Sequence, residues 1–252
     1  MNFGQSPYSM PPVVKNLLII NVLFFLASFV FDRILGIRIS DFLGLHVPLA
    51  QNFHIHQFVT YMFLHAYINF STGSIILTHI FFNMFALFMF GRMLESVWGS
   101  KRFLMYYFFT GTGAGLINII VAFIRIKSAE ANIDPELVAM VYRDGADVLS
   151  QGKNYTDAAL GQLNLLINTT TVGASGAVYG ILLAFGMLFP NMPLYMIPFP
   201  FPIKAKYMVI GYGVLELYLG LANRPLDNVA HFAHLGGMLF GIFLIRYWRK
   251  TY

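Results

Sequence analysis

The sequence contains no cysteine, which excludes disulfides, thiolate nucleophiles and cysteine-ligated zinc. Charge is also scarce, because charged residues make up 11% of the chain, whereas soluble domains carry roughly 25%. Hydrophobic residues reach 58%, which is more apolar surface than one water-soluble core of this size can bury. The composition therefore predicts an integral membrane protein, whose outer apolar surface is solvated by the lipid bilayer.

The formal net charge of +5 does not indicate a nucleic-acid partner, because the basic residues are scattered over short segments between apolar runs. A membrane-spanning helix needs about 20 mostly apolar residues. Six stretches meet or nearly meet this length: 13–32, 76–97, 103–125, 172–190, 207–223 and 229–247. We predict an all-α, polytopic bundle of six transmembrane helices.

The predicted membrane domain covers residues 13–247, with a short N-terminus (1–12) before it and a tail (248–252) after it. The first stretch has no convincing small-residue cleavage site, so we expect a retained span and not a signal peptide. Two connections are long: loop 1 (33–75), and a polar insert (126–168) that carries nine charges. The insert contains a helix signal, since Asp134 can cap the helix, Pro135 suits its first position and Glu136 favours its N-terminal dipole.

Basic residues predict the orientation. With the N-terminus inside, the inner segments hold nine basic residues and one acid, whereas the outer segments hold seven basic residues and nine acids. By the positive-inside rule both termini are therefore cytoplasmic, and the insert is extracytoplasmic. The lack of a long targeting extension favours a bacterial inner membrane.

Polar residues in three of the predicted spans lie at a common depth, a few residues from the outer end of each span. They form pairs three or four residues apart, which places each pair on one helix face. The pairs are His79 and Asn83, Ser175 and Tyr179, and His231 and His234. Ionisable residues inside a membrane are costly and usually mark function.

Two of these spans also carry GxxxG patterns, Gly176/Gly180 and Gly237/Gly241, which allow helix backbones to pack closely in lipid. Gly173 is expected to be a helix-packing glycine as well. If the two glycine faces meet, the hydroxyl of Ser175 reaches a histidine ring, which is the minimum for nucleophilic acyl transfer. Taken singly, Ser175 is more typical of a small helix-packing residue, and His234 of a core histidine.

Four motifs together resemble those of the rhomboid intramembrane serine proteases, over about residues 53–245. Gly173-Ala174-Ser175-Gly176 resembles the GxSG motif, and Ala233-His234-Leu235-Gly236-Gly237 with Gly241 resembles the last core helix of the family. His79 to Asn83 is similar to an HxxxN segment, and Gly91, Glu95, Gly99 and Ser100 match a GxxxExxxGS pattern.

The resemblance implies that Ser175 is the nucleophile and His234 the general base. No aspartate completes a triad, so Tyr179 is expected to stack on the ring and hold it. His79, Asn83 and the backbone N–H of Ser175 would form an oxyanion hole. The substrates would be transmembrane proteins within the lipid bilayer. No cofactor or metal is expected, and the oligomeric state is open.

The chain departs from the family where His56-Gln57 stands in place of a frequent Trp-Arg in loop 1. Two other functions stay open: an inactive relative that binds transmembrane helices, and a small transporter that uses the polar cluster with Glu216. A zinc site of His79, His231 and His234 is a further alternative.

Smaller expectations concern individual side chains. Glu216 is expected to hydrogen-bond a neighbouring span, and Glu95 to pair with Arg92 or Lys101. His231 is expected to line the cavity. His46, His54, His56 and His65 are expected to be loop or interface residues, and residues 223–228 to cap the site.

Overall fold

The computed structural model describes residues 10–68, 74–195, 201–222 and 230–250. In chain order its elements are α1 (Pro12–Leu35), α2 (Ser40–Leu43), α3 (Gln57–Thr60) with a 3-10 turn (Tyr61–Phe63), α4 (Thr78–Ala86) with a π-helical turn (Leu87–Gly91), α5 (Arg92–Trp98), α6 (Ser100–Glu130), α7 (Pro135–Ser150), α8 (Ala158–Asn168), α9 (Ser175–Leu188), β1 (Pro193–Leu194), β2 (Ile203–Lys204), α10 (Ala205–Ala222) and α11 (His231–Lys250). Residues 1–9 of the predicted N-terminus, the expected cap at 223–228 and the end of the tail lie outside the described residues.

The predicted helical membrane bundle is confirmed as a fold class. Within the described ranges, three helices are long and apolar enough to cross a membrane: Pro12–Leu35, Thr78–Trp98 and Ser100–Glu130. The helix Ser175–Leu188 is apolar but shorter. A helix of 14 residues is about 21 Å long, which is less than the roughly 30 Å of a hydrocarbon core. The count of six spans stays a prediction.

Helix α9 lies at the centre of the bundle, because its residues from Gly176 to Gly186 are almost all buried. It packs against α6, α10 and α11, and α6 in turn packs along α11. The outer faces of α1 and α10 are apolar and exposed, with Leu23 59% and Leu221 70% accessible. Such faces are suited to lipid contact, as in other membrane helices.

The predicted contact between the two GxxxG faces is correct for one glycine pair. A Cβ atom on Gly237 would overlap the carbonyl oxygen of Gly176, so α9 and α11 touch backbone to backbone at this level. The other two glycines pack most closely against α6, although a Cβ on Gly241 would also lie 3.1 Å from the side chain of Leu183 in α9. A Cβ on Gly180 would lie 2.7 Å from Cβ of Thr110, and one on Gly241 would meet the hydroxyl of Tyr106. Both of these partners belong to α6.

The expected ion pair of Glu95 with Arg92 or Lys101 is wrong, because the carboxylate accepts hydrogen bonds elsewhere. It accepts from the backbone N–H groups of Val13 and Val14, at 3.0 and 2.8 Å, and from the hydroxyl of Ser100 at 2.7 Å. Those N–H groups begin α1, where the helix has no internal acceptors and its dipole favours an anion. Glu95 therefore joins the start of α1 to the junction of α5 and α6.

The polar insert forms two helices that pack on the extended end of α6. Helix α6 continues to Glu130, beyond the predicted end of the third span at residue 125. The predicted cap of α7 is confirmed, since the carboxylate of Asp134 accepts from the backbone N–H of Glu136 at 2.8 Å. A small apolar core joins the insert to α6 and loop 1, and it contains Val47, Ile126, Val141, Leu160, Leu163 and Ile167.

Candidate functional site

The site begins where the chain turns into α9. Thr171 pairs with Leu45 of loop 1 through two backbone hydrogen bonds of 2.9 Å, and the N–H of Gly173 donates to the carbonyl of Tyr61 at 3.0 Å. Gly173 has a φ of 132°, a conformation that a side chain would strain. The helix therefore starts at Ser175, later than the predicted span start at residue 172. Gly173 precedes α9, so its expected role as a helix-packing glycine is wrong.

Ser175 lies at the first position of α9, and its hydroxyl meets the first turn of α11. Its Oγ is 2.8 Å from Nε2 of His234. The close approach of Gly176 and Gly237 brings the two helices near enough for this hydrogen bond. The N–H groups of the first helical turn have no acceptors within the helix, so they are available to a ligand oxygen beside Ser175.

Tyr179 lies one turn after Ser175, and its ring stacks on the ring of His234. The ring centroids are 4.2 Å apart and the interplanar angle is 6°. This contact restricts rotation of the imidazole out of its own plane. The stacking geometry is the one expected from the sequence, and the phenol hydroxyl has a second partner, which is described below.

His79 and Asn83 lie on α4 beside this site. Nδ1 of His79 accepts from the backbone N–H of Ala66 at 3.2 Å, so the proton of the neutral ring is on Nε2. Nε2 faces Gly173, because a Cβ on that glycine would lie 3.0 Å away from it. The amide of Asn83 donates to the carbonyl of His79 at 2.8 Å, which leaves its second N–H for another acceptor.

Glu216 is the group whose place in the site could not be read from the sequence. The carboxylate is buried, and Oε1 accepts a short hydrogen bond from the hydroxyl of Tyr179. Oε2 lies 2.5 Å from Nδ1 of His231 and 3.0 Å from Nδ1 of His234. The expected hydrogen bond to a neighbouring span is therefore present, and both α9 and α11 provide partners. His231 contacts this carboxylate, although it was expected only to line a cavity.

The ligand types for a metal ion are also present in this cluster. Suitable atoms of Glu216, His231 and His234 lie within 4.8 Å of one another, a set that does not include the His79 of the alternative zinc site. The 2.5 Å between the carboxylate and His231 is a hydrogen-bond distance, and it is short for two ligands that each stand about 2.0 Å from one zinc ion. In addition, Nε2 of His234 contacts Ser175. The geometry favours a hydrogen-bonded cluster.

Gln57 organises loop 1, in the place where the family often has Trp-Arg. Its side-chain oxygen accepts from the N–H of His46 at 3.2 Å. Its side-chain nitrogen donates to the carbonyls of Asn52, at 2.7 Å, and Phe42, at 3.3 Å. The ring of His56 contacts the same Phe42 carbonyl at 3.0 Å. This pair thus ties residues 42–57 within loop 1 together.

All four of the histidines expected in a loop or at the interface lie in loop 1, and two of them are buried. His46 is 4% exposed and His65 is 2% exposed. Burial, with a smaller contribution from the charge of His79, lowers the pKa of His65 to about 3. Burial likewise lowers the pKa of His46, although the nearby Asp41 opposes this effect. Both rings are therefore neutral at pH 7.

We expect the folded state to lose stability as the pH falls below about 6.5. Between pH 6.5 and 3 the unfolded chain protonates His65 while the folded chain does not, so the free energy of unfolding decreases with decreasing pH. One such group contributes about 1.4 kcal/mol per pH unit in the middle of this window. Thermal denaturation in detergent between pH 4.5 and 8 measures the slope.

The free energy of unfolding of the variant His65→Leu should depend less steeply on pH than that of the wild type. The pH dependence that remains is due to His46. An unchanged slope in His65→Leu would contradict the assignment.

The comparison with known families agrees with this fold. The family model described as Rhomboid domain matches residues 52–128 and 137–251. The chain therefore belongs to the rhomboid family, whose domain is a helical membrane bundle.

Two curated relatives are similar to this chain. Rhomboid-like protein 11, chloroplastic, of Arabidopsis thaliana is 25% identical over 202 residues, which cover 75% of this chain and 51% of that protein. Rhomboid protease AarA of Providencia stuartii is 26% identical over 167 residues, which cover 65% of this chain and 48% of that protein. The chain thus spans about half the length of each of these relatives.

Proposed function

We propose that this protein is an intramembrane serine endopeptidase, which hydrolyses peptide bonds in or near the transmembrane helices of other proteins. The single observation that carries this proposal is the 2.8 Å contact between Oγ of Ser175 and Nε2 of His234. A hydroxyl is a weak nucleophile unless a base removes its proton, and this distance is within the range for that transfer. The similarity to a relative named as a rhomboid protease supports the same chemistry.

In the proposed reaction, Oγ of Ser175 attacks the substrate carbonyl carbon while its proton moves to Nε2 of His234. The developing oxyanion would accept hydrogen bonds from Nε2–H of His79, from the amide of Asn83 and from the backbone N–H of Ser175. His234 then gives the proton to the leaving amine as the C–N bond breaks. Water hydrolyses the resulting acyl-enzyme in the second half of the cycle.

Water and substrate both have to reach the serine. The position of Ser175 at the first residue of its helix supports access from one membrane surface. A substrate helix has to unwind locally, because its own hydrogen bonds shield the carbonyl groups. We therefore expect small or helix-breaking residues in the substrates, near the end that lies on that surface.

The proposed location is a bacterial inner membrane, and the distribution of basic residues supports an orientation with both termini on the cytoplasmic side and the site toward the opposite surface. The proposed partners are transmembrane substrate proteins within the bilayer. Cysteine accessibility labelling of single cysteines tests the orientation, and the absence of native cysteine allows it without background.

A serine-reactive fluorophosphonate probe tests the proposed function directly. The wild-type protein in detergent should be labelled at Ser175, as mass spectrometry of the modified peptide would show, whereas Ser175→Ala should not be labelled. A folded wild-type protein that does not react would support the inactive relative. Substrate-coupled flux in liposomes without labelling would support a transporter.

A further inference from the structure

Glu216 is a buried carboxylate in the middle of α10, and it is 5% exposed. Among the described residues the other buried carboxylate is Glu95, whose oxygens bind the start of α1 and Ser100. A buried charge is tolerated only with hydrogen-bond partners. The partners of Glu216 all belong to the candidate site, so its carboxylate is part of the hydrogen-bonded cluster around His234.

Ser175 on α9, His234 on α11 and Glu216 on α10 form a chain of contacts across three helices. Nε2 of His234 is 2.8 Å from Oγ of Ser175, and Nδ1 on the opposite side of the same ring is 3.0 Å from Oε2 of Glu216. The Nδ1–H direction is poorly aligned with this oxygen, so the contact is within hydrogen-bond distance without being well formed. Catalytic hydrogen bonds are often loose without substrate and tighten when it binds.

The chemistry of the ring requires such a partner. If Nε2 takes the proton of Ser175, the proton of the neutral ring must be on Nδ1 beforehand. A carboxylate facing Nδ1 favours that tautomer and stabilises the imidazolium that forms after the transfer. We propose, on the basis of the proposed protease function, that Glu216 is the positioning carboxylate of a Ser175–His234–Glu216 triad.

Two further contacts hold the carboxylate in place. The hydroxyl of Tyr179 donates to Oε1, and Nδ1 of His231 contacts Oε2 at 2.5 Å. The sequence suggested that Tyr179 alone does the work of a carboxylate. In the proposed triad Tyr179 has two tasks, because its ring stacks on His234 while its hydroxyl orients Glu216. His231 likewise acts on the carboxylate and not on the substrate.

Proton balance in this arrangement is simple. One proton moves from Oγ of Ser175 to Nε2 of His234 as the Oγ–C bond forms, and it leaves on the amine as the C–N bond breaks. Nδ1 keeps its own proton throughout, and Glu216 stays ionised. No oxidant, metal ion or cofactor takes part in these steps.

Glu216→Gln tests the proposal because it keeps the shape of the side chain and removes the charge. The amide also presents an N–H to the ring, which favours the wrong tautomer of His234. We expect the second-order rate of fluorophosphonate labelling at Ser175 to fall by about 10²- to 10⁴-fold. Glu216→Asp should recover part of this loss. The matched control is Glu136→Gln, which removes an exposed carboxylate, and its Ser175 should be labelled at the wild-type rate.

A double variant separates a positioning role from a merely structural one. Members of a catalytic unit are non-additive, so Glu216→Gln should cause no further loss of activity in a His234→Ala background. A structural role would lower the residual activity again. The thermal midpoint of each variant in detergent identifies those that are misfolded.

The outcomes distinguish the two proposals. If the wild type is not labelled, the protease function fails before Glu216 is in question. If the wild type is labelled and a folded Glu216→Gln protein reacts within threefold of its rate, the triad is overturned and the protease function is retained.

Discussion

The variant His234→Ala is expected to cut a membrane-anchored reporter at least about 10⁴-fold more slowly than the wild type. The reason is that the imidazole is the group within reach of the Ser175 proton, at 2.8 Å. Ser175→Ala should lose a similar amount, and the double variant should be no worse than either single variant. Reporter cleavage in proteoliposomes, followed by the appearance of the product band, measures the rates.

The variant His54→Gln removes an exposed histidine ring and serves as the control. It should cleave the reporter at the wild-type rate. A His234→Ala protein with more than a tenth of the wild-type rate would show that another group is the base. Full activity of Ser175→Ala would remove the protease function itself.

The variant Gly237→Ala should lose about 100-fold in cleavage rate through a single added methyl group. Its Cβ would overlap the carbonyl oxygen of Gly176, and a backbone contact cannot be relieved by a change of rotamer. The two helices must separate, which moves His234 away from Ser175, and a displacement of 1 Å costs about 100-fold in rate. Overpacking of this kind also destabilises the fold by about 1–3 kcal/mol.

Gly211→Ala is the matched control, because a Cβ there meets no atom within 4 Å. It should keep its activity and melt at the wild-type temperature or above, since alanine favours a helix more than glycine does. Reporter cleavage and thermal denaturation in the same detergent compare the two variants. Normal cleavage by Gly237→Ala would mean that the helix separation does not determine the position of the base.

The bundle and the meeting of two of its helices could be predicted from the sequence because their signals are local. Long apolar runs indicate spans, and small residues four apart indicate close helix contacts. The partners of Gly180 and Gly241 were not predictable, since a small residue does not show which neighbour approaches it. Both pack on α6, which the GxxxG pattern alone cannot indicate.

The position of Glu216 illustrates a second limit. The sequence showed a carboxylate deep in a span, but α10 is apolar on most of its surface, so no stripe indicates which face points inward. Glu95 illustrates a third limit. Basic residues close in sequence suggested an ion pair, whereas two of its three partners are N–H groups about 80 residues away, which no local pattern reveals.

The residue at which α9 starts could not be predicted from the sequence either. Residues 171–174 are small or apolar and look like part of a span, whereas Thr171 and Gly173 form hydrogen bonds with loop 1 that keep them out of the helix. Gln57, which organises that loop, is a single polar residue in a mixed segment. Its role depends on carbonyl groups of residues 42 and 52, and the loop conformation that brings these together is not encoded by any periodic pattern.

The backbone contact between α9 and α11 has a consequence for the temperature and lipid dependence of the site. Main-chain atoms have no rotamers, so thermal motion of side chains cannot change the distance between α9 and α11 at this contact. The hydroxyl and the imidazole are thus held at their working distance from the moment the bundle assembles. Their alignment should vary little with acyl-chain length, in contrast to the rate at which substrate helices enter.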